Sequence, residues 1–258
     1  MVFKFKNRNL SYEVYGSGDV ILLLHGFLEN KSMWDDFIPL LSKSNKVITT
    51  DLLGHGKSES LGYIHTMEDM AEAVYAILSN LNILKVKVVG HSMGGYVALA
   101  LSDLYPNFVT DVCLMNSTFQ KDNEDRIELR NRAVEMAKKN YKGLVTASFA
   151  NLFAPESRIR FKSQYDDALK VALQTTVQGY IAAQKGMVER PDRFDVFNAI
   201  PGQKHIIIGK KDGLVSADAI KHIITHTKIV LHEFSEGHMS HIENKSELSY
   251  FLNLFIEK

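Results

Sequence analysis

Apolar residues along the chain fall into two alternating rhythms. Short runs rich in branched aliphatics, DVILLLHG (19–26), KVITTD (46–51), KVKVVG (85–90), VTDVCLMN (109–116), KHIIIGK (204–210) and TKIVLHEF (227–234), are too short for helices and read as buried strands. Most are followed by an amphipathic stretch, so the pattern predicts an α/β protein with a mostly parallel sheet and helices on both faces. Two earlier runs, FKFKN (3–7) and LSYEVYG (10–16), lie close together and alternate polar with apolar, which predicts an antiparallel hairpin at the sheet edge.

The alternation breaks between Phe119 and about Pro191. DRIELRNRAVEMAKK and FKSQYDDALKVALQTTVQGYIAAQK are rich in helix formers and hold no strand run of comparable quality. Residues 119–191 are therefore expected to form a helical cap inserted after the sixth strand, with 1–118 and 192–258 as an eight-stranded core domain. At 258 residues and 45% hydrophobic content, the chain is long enough for one large core. Thirty basic and thirty acidic residues, with no long block of either sign, give no pull toward nucleic acid or an anionic membrane. The expected partner is a small molecule. The single Cys113 lies in an apolar run, which rules out an internal disulfide and reads as a small core residue in a reducing compartment. The start MVFKFKNRNL has no continuous apolar stretch of signal-peptide length, and VILLL is too short to span a bilayer, so a cytoplasmic location is expected.

The chemistry centres on GHSMGG (90–95), where a strand-like run turns into a helical one. Glycines two residues either side of Ser92 suit a sharp turn that pushes the hydroxyl outward, at a helix N-terminus that favours a developing negative charge. A serine nucleophile needs a base and a carboxylate that orients it. Asp212 follows the run HIIIGKK and His238 follows the last strand run, so both sit on loops past strand ends, where open α/β sheets place functional groups. Asp218, Glu233 and Glu236 compete with Asp212, and His241 competes with His238. A position after the sixth strand reads MNSTF and offers no carboxylate. The run into HGF (25–27) supplies an oxyanion loop, with the backbone N–H groups of Phe27 and Met93 as donors.

HGF, DLLGHGKS (51–58), GHSMGG, GKKDG (209–213) and GHMSHIE (237–243) together resemble the α/β-hydrolase superfamily. The resemblance implies a serine hydrolase, most simply one that cleaves small carboxylic esters through an acyl-enzyme at Ser92, with His238 as base, Asp212 orienting it, and no metal or organic cofactor. It leaves open a triad-dependent lyase or carbon–carbon bond enzyme like the menaquinone-pathway synthase, for which Arg126, Arg130, Arg158 and Arg160 could bind a carboxylate. A ligand-binding module on the same fold is a third possibility. Relatives acting on epoxides or haloalkanes carry aspartate where Ser92 stands.

Other residues read more plainly. His241 reads as a helix-cap or surface residue, and His91 is a candidate for lining the site. GHGKS mimics a phosphate-binding loop, but Asp51 stands where that loop needs glycine, so it reads as scaffold. His222 and His226 have i, i+4 spacing without a third ligand and read as a solvated helix face. Met33, Trp34 and Phe37 read as core.

Overall fold

The computed structural model describes residues 1–257. Its strands are β1 (Val2–Phe5), β2 (Arg8–Tyr15), β3 (Asp19–Leu24), β4 (Asn45–Thr50), β5 (Val86–His91), β6 (Val109–Met115), β7 (Lys204–Gly209) and β8 (Val230–Phe234). They form one sheet in the order β1-β2-β4-β3-β5-β6-β7-β8. β1 and β2 form the antiparallel edge hairpin that the alternation predicts, β2 runs antiparallel to β4, and every other pairing is parallel. Lys6 and Asn7 turn the hairpin with φ of 46° and 62°, as a two-residue connection between right-twisted strands requires.

Helices cover both faces of the sheet. In chain order they are α1 (Ile38–Leu41), α2 (Met67–Asn80), α3 (Met93–Leu104), α4 (Glu124–Phe149), α5 (Ser157–Arg160), α6 (Lys162–Ala172), α7 (Val177–Glu189), α8 (Phe194–Ala199), α9 (Ala217–Ile224), α10 (Ser240–Glu243) and α11 (Lys245–Glu257). The period-2 geometry of β3 divides its side chains between the faces. Leu22 and Leu24 join the core under α2 and α3, while Ile21 and Leu23 join Trp34, Phe37, Leu252 and Phe255 on the other. Trp34, Phe37 and Cys113 are buried core residues, as the sequence suggests.

Of the helices between β6 and β7, α4 faces the cavity above Ser92, whereas α8 packs on α3 in the main core. α4 breaks at Asn140 (φ −149°, ψ 74°), whose side chain accepts a hydrogen bond from Gly143 N and so caps the second half of the helix. Val145, Phe149, Phe153, Ala172 and Tyr180 from this region pack with Leu28 and Met239 in a cluster of their own. α7 is seated more deeply, because Ala183 and Met187 join the main core. A Cβ on Gly186 would collide with the His65 carbonyl, and His65 N donates to Ala182 O at 3.0 Å. Among the described residues no helix is long and apolar enough to cross a membrane.

Candidate active site

β5 runs into α3 through Ser92, which takes φ 49° and ψ −114°, a conformation unfavourable for a residue with a Cβ. The strain is held by neighbours: Ser92 N donates to Met115 O at 2.8 Å, and Ser92 O accepts from Ser117 Oγ at 2.7 Å. The flanking glycines are needed for close approach. A Cβ on Gly94 would stand 2.6 Å from Leu24 O and 2.7 Å from His25 O, and one on Gly90 would collide with the Gly94 backbone.

The loops after β7 and β8 bring Asp212 and His238 to this serine. His238 Nε2 lies 3.0 Å from Ser92 Oγ, and His238 Nδ1 lies 2.8 Å from Asp212 Oδ2. Asp212 Oδ1 accepts from Leu214 N at 2.8 Å and Val215 N at 3.2 Å, and Oδ2 also accepts from Asn116 Nδ2 at 3.0 Å. Burial opposes ionisation of Asp212, but the adjacent His238 and the donors from Asn116 and Leu214 outweigh it and hold the carboxyl below its ordinary range. The competing acids are engaged elsewhere: Asp218 and Glu233 pair with Lys221, and Glu236 pairs with Lys211.

Phe27 and Met93 flank Ser92, one in the loop after β3 and the other at the first position of α3. Their N–H groups take no part in the turn and loop hydrogen bonding around the site. The loop holding Phe27 is pinned by two buried residues. His25 Nε2 accepts from Leu52 N at 2.8 Å, which makes Nδ1 the donor to Gly26 O at 2.7 Å. Glu29 Oε2 accepts from Gly26 N at 2.5 Å and from His91 Nδ1 at 2.7 Å, while His91 Nε2 donates to His238 O at 3.0 Å. Burial disfavours charge on both partners. Their mutual attraction wins, holding Glu29 down at about 2 and raising His91 above the ordinary histidine value.

His91 lines the cavity beside Ser92, as the sequence suggests it could, and as the partner of Glu29 it links the loops of Gly26 and His238. Asn116 and Glu29 carry no motif signal in the sequence; Asn116 was visible only as the residue ending a strand without an acid. His241 is neither a cap nor a surface residue. It is buried, with its ring centroid 5.4 Å from that of His91, because α10 folds the GHMSHIE segment back under the Ser92 turn. Burial pushes its pKa down to about 4.

The remaining candidates keep their plain readings, except that His226 lies outside the helix expected to carry it. Asp51 accepts from Lys31 N at 2.8 Å and Lys57 N at 3.0 Å, so the DLLGHGKS segment folds around its own carboxylate as scaffold. α9 ends at Ile224 and His226 has φ 68°, so His222 and His226 share no continuous helix, although both are exposed. Arg130 binds Asp122 at 2.6 Å and Gln184 at 2.9 Å, and with Arg126 it faces the cavity above Ser92. Arg158 lies apart, beside Ile159 and Lys162, and Arg160 lies 3.8 Å from Glu236. The cavity, about 280 Å³, is walled by Phe27, Leu129, Leu144, Leu152, Tyr180 and Val215 and opens on Ser92 and His238.

Comparison with known proteins places this geometry in a family. An uncharacterized protein of Mycobacterium bovis is 35% identical over 107 residues, which are 42% of this chain and 31% of that protein. The chain spans about a third of the length of the curated relatives it matches in this way. A thermophilic esterase from Thermogutta terrifontis superposes with a TM-score of 0.89 at 24% identity, covering 97% of this chain and 93% of that one. The enol-lactonase from Burkholderia xenovorans LB400 superposes with a TM-score of 0.91 at 21% identity, covering 100% of both chains. The family model for the alpha/beta hydrolase fold matches residues 19–245, and the chain belongs to that family.

Proposed function

We propose that this hydrolase cleaves small carboxylic esters through an acyl-enzyme on Ser92. The observation that carries the reading is the unbroken hydrogen-bonded chain Ser92 Oγ, His238 Nε2, His238 Nδ1, Asp212 Oδ2. In the forward step His238 takes the Ser92 proton as Oγ attacks the ester carbonyl, and the buried Asp212 carboxylate stabilises the imidazolium that forms. The carbonyl oxygen becomes an oxyanion and is met by the N–H groups of Phe27 and Met93, with the α3 macrodipole behind Met93. His238 then returns its proton to the departing alkoxide oxygen. In the second half it deprotonates water, which releases the acid and restores Ser92.

The helices of 119–191 act in this reading as a cap whose apolar walls exclude bulk water and limit acyl length. Charge compensation within the protein gives the site what it needs for this chemistry without a cofactor: Asp212 opposes the imidazolium and two backbone donors oppose the oxyanion. The esterase and lactonase activities named for two structural neighbours agree with it. The test is turnover of a panel of p-nitrophenyl esters together with a mass measurement after a fluorophosphonate. Ester turnover with a single adduct on Ser92 is the expected result; a protein that neither turns over esters nor takes the label would refute the reading.

A further inference from the structure

A second cavity, of about 360 Å³, adjoins the one above Ser92, and Leu28, Glu29, Phe149 and Met239 form the wall they share. Glu29, on that shared wall, holds a buried oxygen without a partner, Oε1. Glu29 is 6% exposed and His241 8%. Glu29 Oε1 and His241 Nε2 stand 3.8 Å apart. That is too far for a hydrogen bond, and it is a gap that one oxygen spans when bonded to each side at about 2.8 Å. An ionised carboxylate oxygen left alone in a buried place is costly, so this gap calls for a group that donates to it.

The chemistry of the surrounding groups selects the ligand. Glu29 is ionised and accepts only. Neutral His241 offers one N–H and one lone pair. Both nitrogens of His91 are engaged, one by Glu29 Oε2 and one by the His238 carbonyl, so a metal at this cluster would have to break the bond between His91 and Glu29, and on Glu29 Oε2 it would also displace the Gly26 N–H that fixes the oxyanion loop. A ligand ammonium donates only and could not accept from His241. A hydroxyl fits, since it both donates and accepts.

Position selects the part of the substrate. His238 protonates the departing oxygen, so the alcohol lies on the side of the His238 loop, and that loop continues through Met239 and His241 into the second cavity. Leu129, Leu144, Leu152 and Val215 line the Ser92 cavity but not the second one, and are left to the acyl chain. We propose that the second cavity binds a free hydroxyl of the leaving alcohol, which donates to Glu29 Oε1 and accepts from His241, so that the preferred substrates are monoesters of diols or polyols. The proposal rests on the serine-hydrolase reading and narrows it.

The test compares two esters with equal numbers of non-hydrogen atoms, 2-hydroxyethyl butyrate and propyl butyrate. The intact protein is expected to favour the hydroxyethyl ester by ~10-fold or more in kcat/KM, the scale of one hydrogen bond to a charged group. His241→Leu should reduce that preference, read as the ratio of kcat/KM for the two esters, to within about threefold, as expected when a single substrate hydrogen bond is removed. His241→Gln, which keeps a donor and an acceptor, should restore part of the preference. Equal kcat/KM for the two esters in the intact protein would mean that the gap holds only water, and would overturn the proposal. So would a preference that persists in His241→Leu. If neither ester is turned over, the hydrolase reading fails; calorimetric titration of Ser92→Ala with both esters then tests the cavity alone, and equal affinity overturns the site.

Discussion

Asn116 donates from one amide nitrogen to both Asp212 Oδ2, at 3.0 Å, and the Gly237 carbonyl, at 3.2 Å. The end of β6 is thereby tied to the two loops that carry the acid and the base. Asn116→Ala should lower kcat by ~10-fold or more with KM little changed, because the lost bond supports the carboxylate that opposes the transition-state imidazolium. Steady-state kinetics on a p-nitrophenyl ester would show it, and an unchanged kcat would mean that Leu214, Val215 and His238 suffice to hold Asp212.

Ser92→Ala should abolish ester hydrolysis, by roughly 10³-fold or more, with little loss of stability, since only a hydroxyl is removed and the strained backbone is unchanged. Retention of a tenth of the activity would exclude Ser92 as nucleophile.

His238→Ala should match that loss, whereas His241→Ala should stay within about tenfold on an activated ester, since only His238 reaches Ser92 Oγ. Side-by-side rate measurements would decide, and a reversed order would sink the assignment.

Acid should destabilise the fold. Burial holds His55 at about 3, and His65 and His241 at about 4, so these residues are neutral in the folded protein. In the unfolded chain a histidine takes its proton near pH 6.5. From about pH 6.5 down to pH 4 the unfolded state binds more protons, and stability falls as pH falls, by on the order of 3 kcal/mol for one such histidine. Glu29, held at about 2, adds stability above pH 4.5 that is lost between there and pH 2. His91 has the opposite sign: its raised value stabilises the fold below pH 6.5, and that contribution fades as pH rises through the folded value. Urea unfolding at pH 7, 6, 5 and 4 should show a falling midpoint; a flat midpoint would show that the buried histidines are not held neutral.

Replacing residues 124–172 with a short Gly/Ser linker should leave a folded protein with a broadened acyl-length preference. α4 and the turn after it supply Leu129, Ala133, Leu144, Phe149 and Leu152 of the cavity wall, while α7 is spared because its Ala183 and Met187 belong to the main core. Activity on esters of increasing chain length would measure this. A folded variant with the original preference would show that these helices do not shape the pocket.

Strand order along the chain, the edge hairpin, the helical insertion and the positions of Ser92, Asp212 and His238 were legible in the sequence because each rests on local physics. A period of two or 3.6 marks an element, a glycine marks a close approach, and the ends of parallel strands gather on one edge of the sheet. Glu29, Asn116 and the burial of His241 were not legible. Each depends on a contact between segments far apart in the chain, such as His91 with Glu29 62 residues away and Asn116 with Asp212 96 residues away. His241 shows the reason most plainly. Three residues past His238 the pattern gives a polar side chain at a helix start, a place that is usually solvated, and only the packing of α10 beneath the Ser92 turn takes it out of water. A buried polar group finds its partner wherever the folded chain brings one, so tertiary structure decided these contacts.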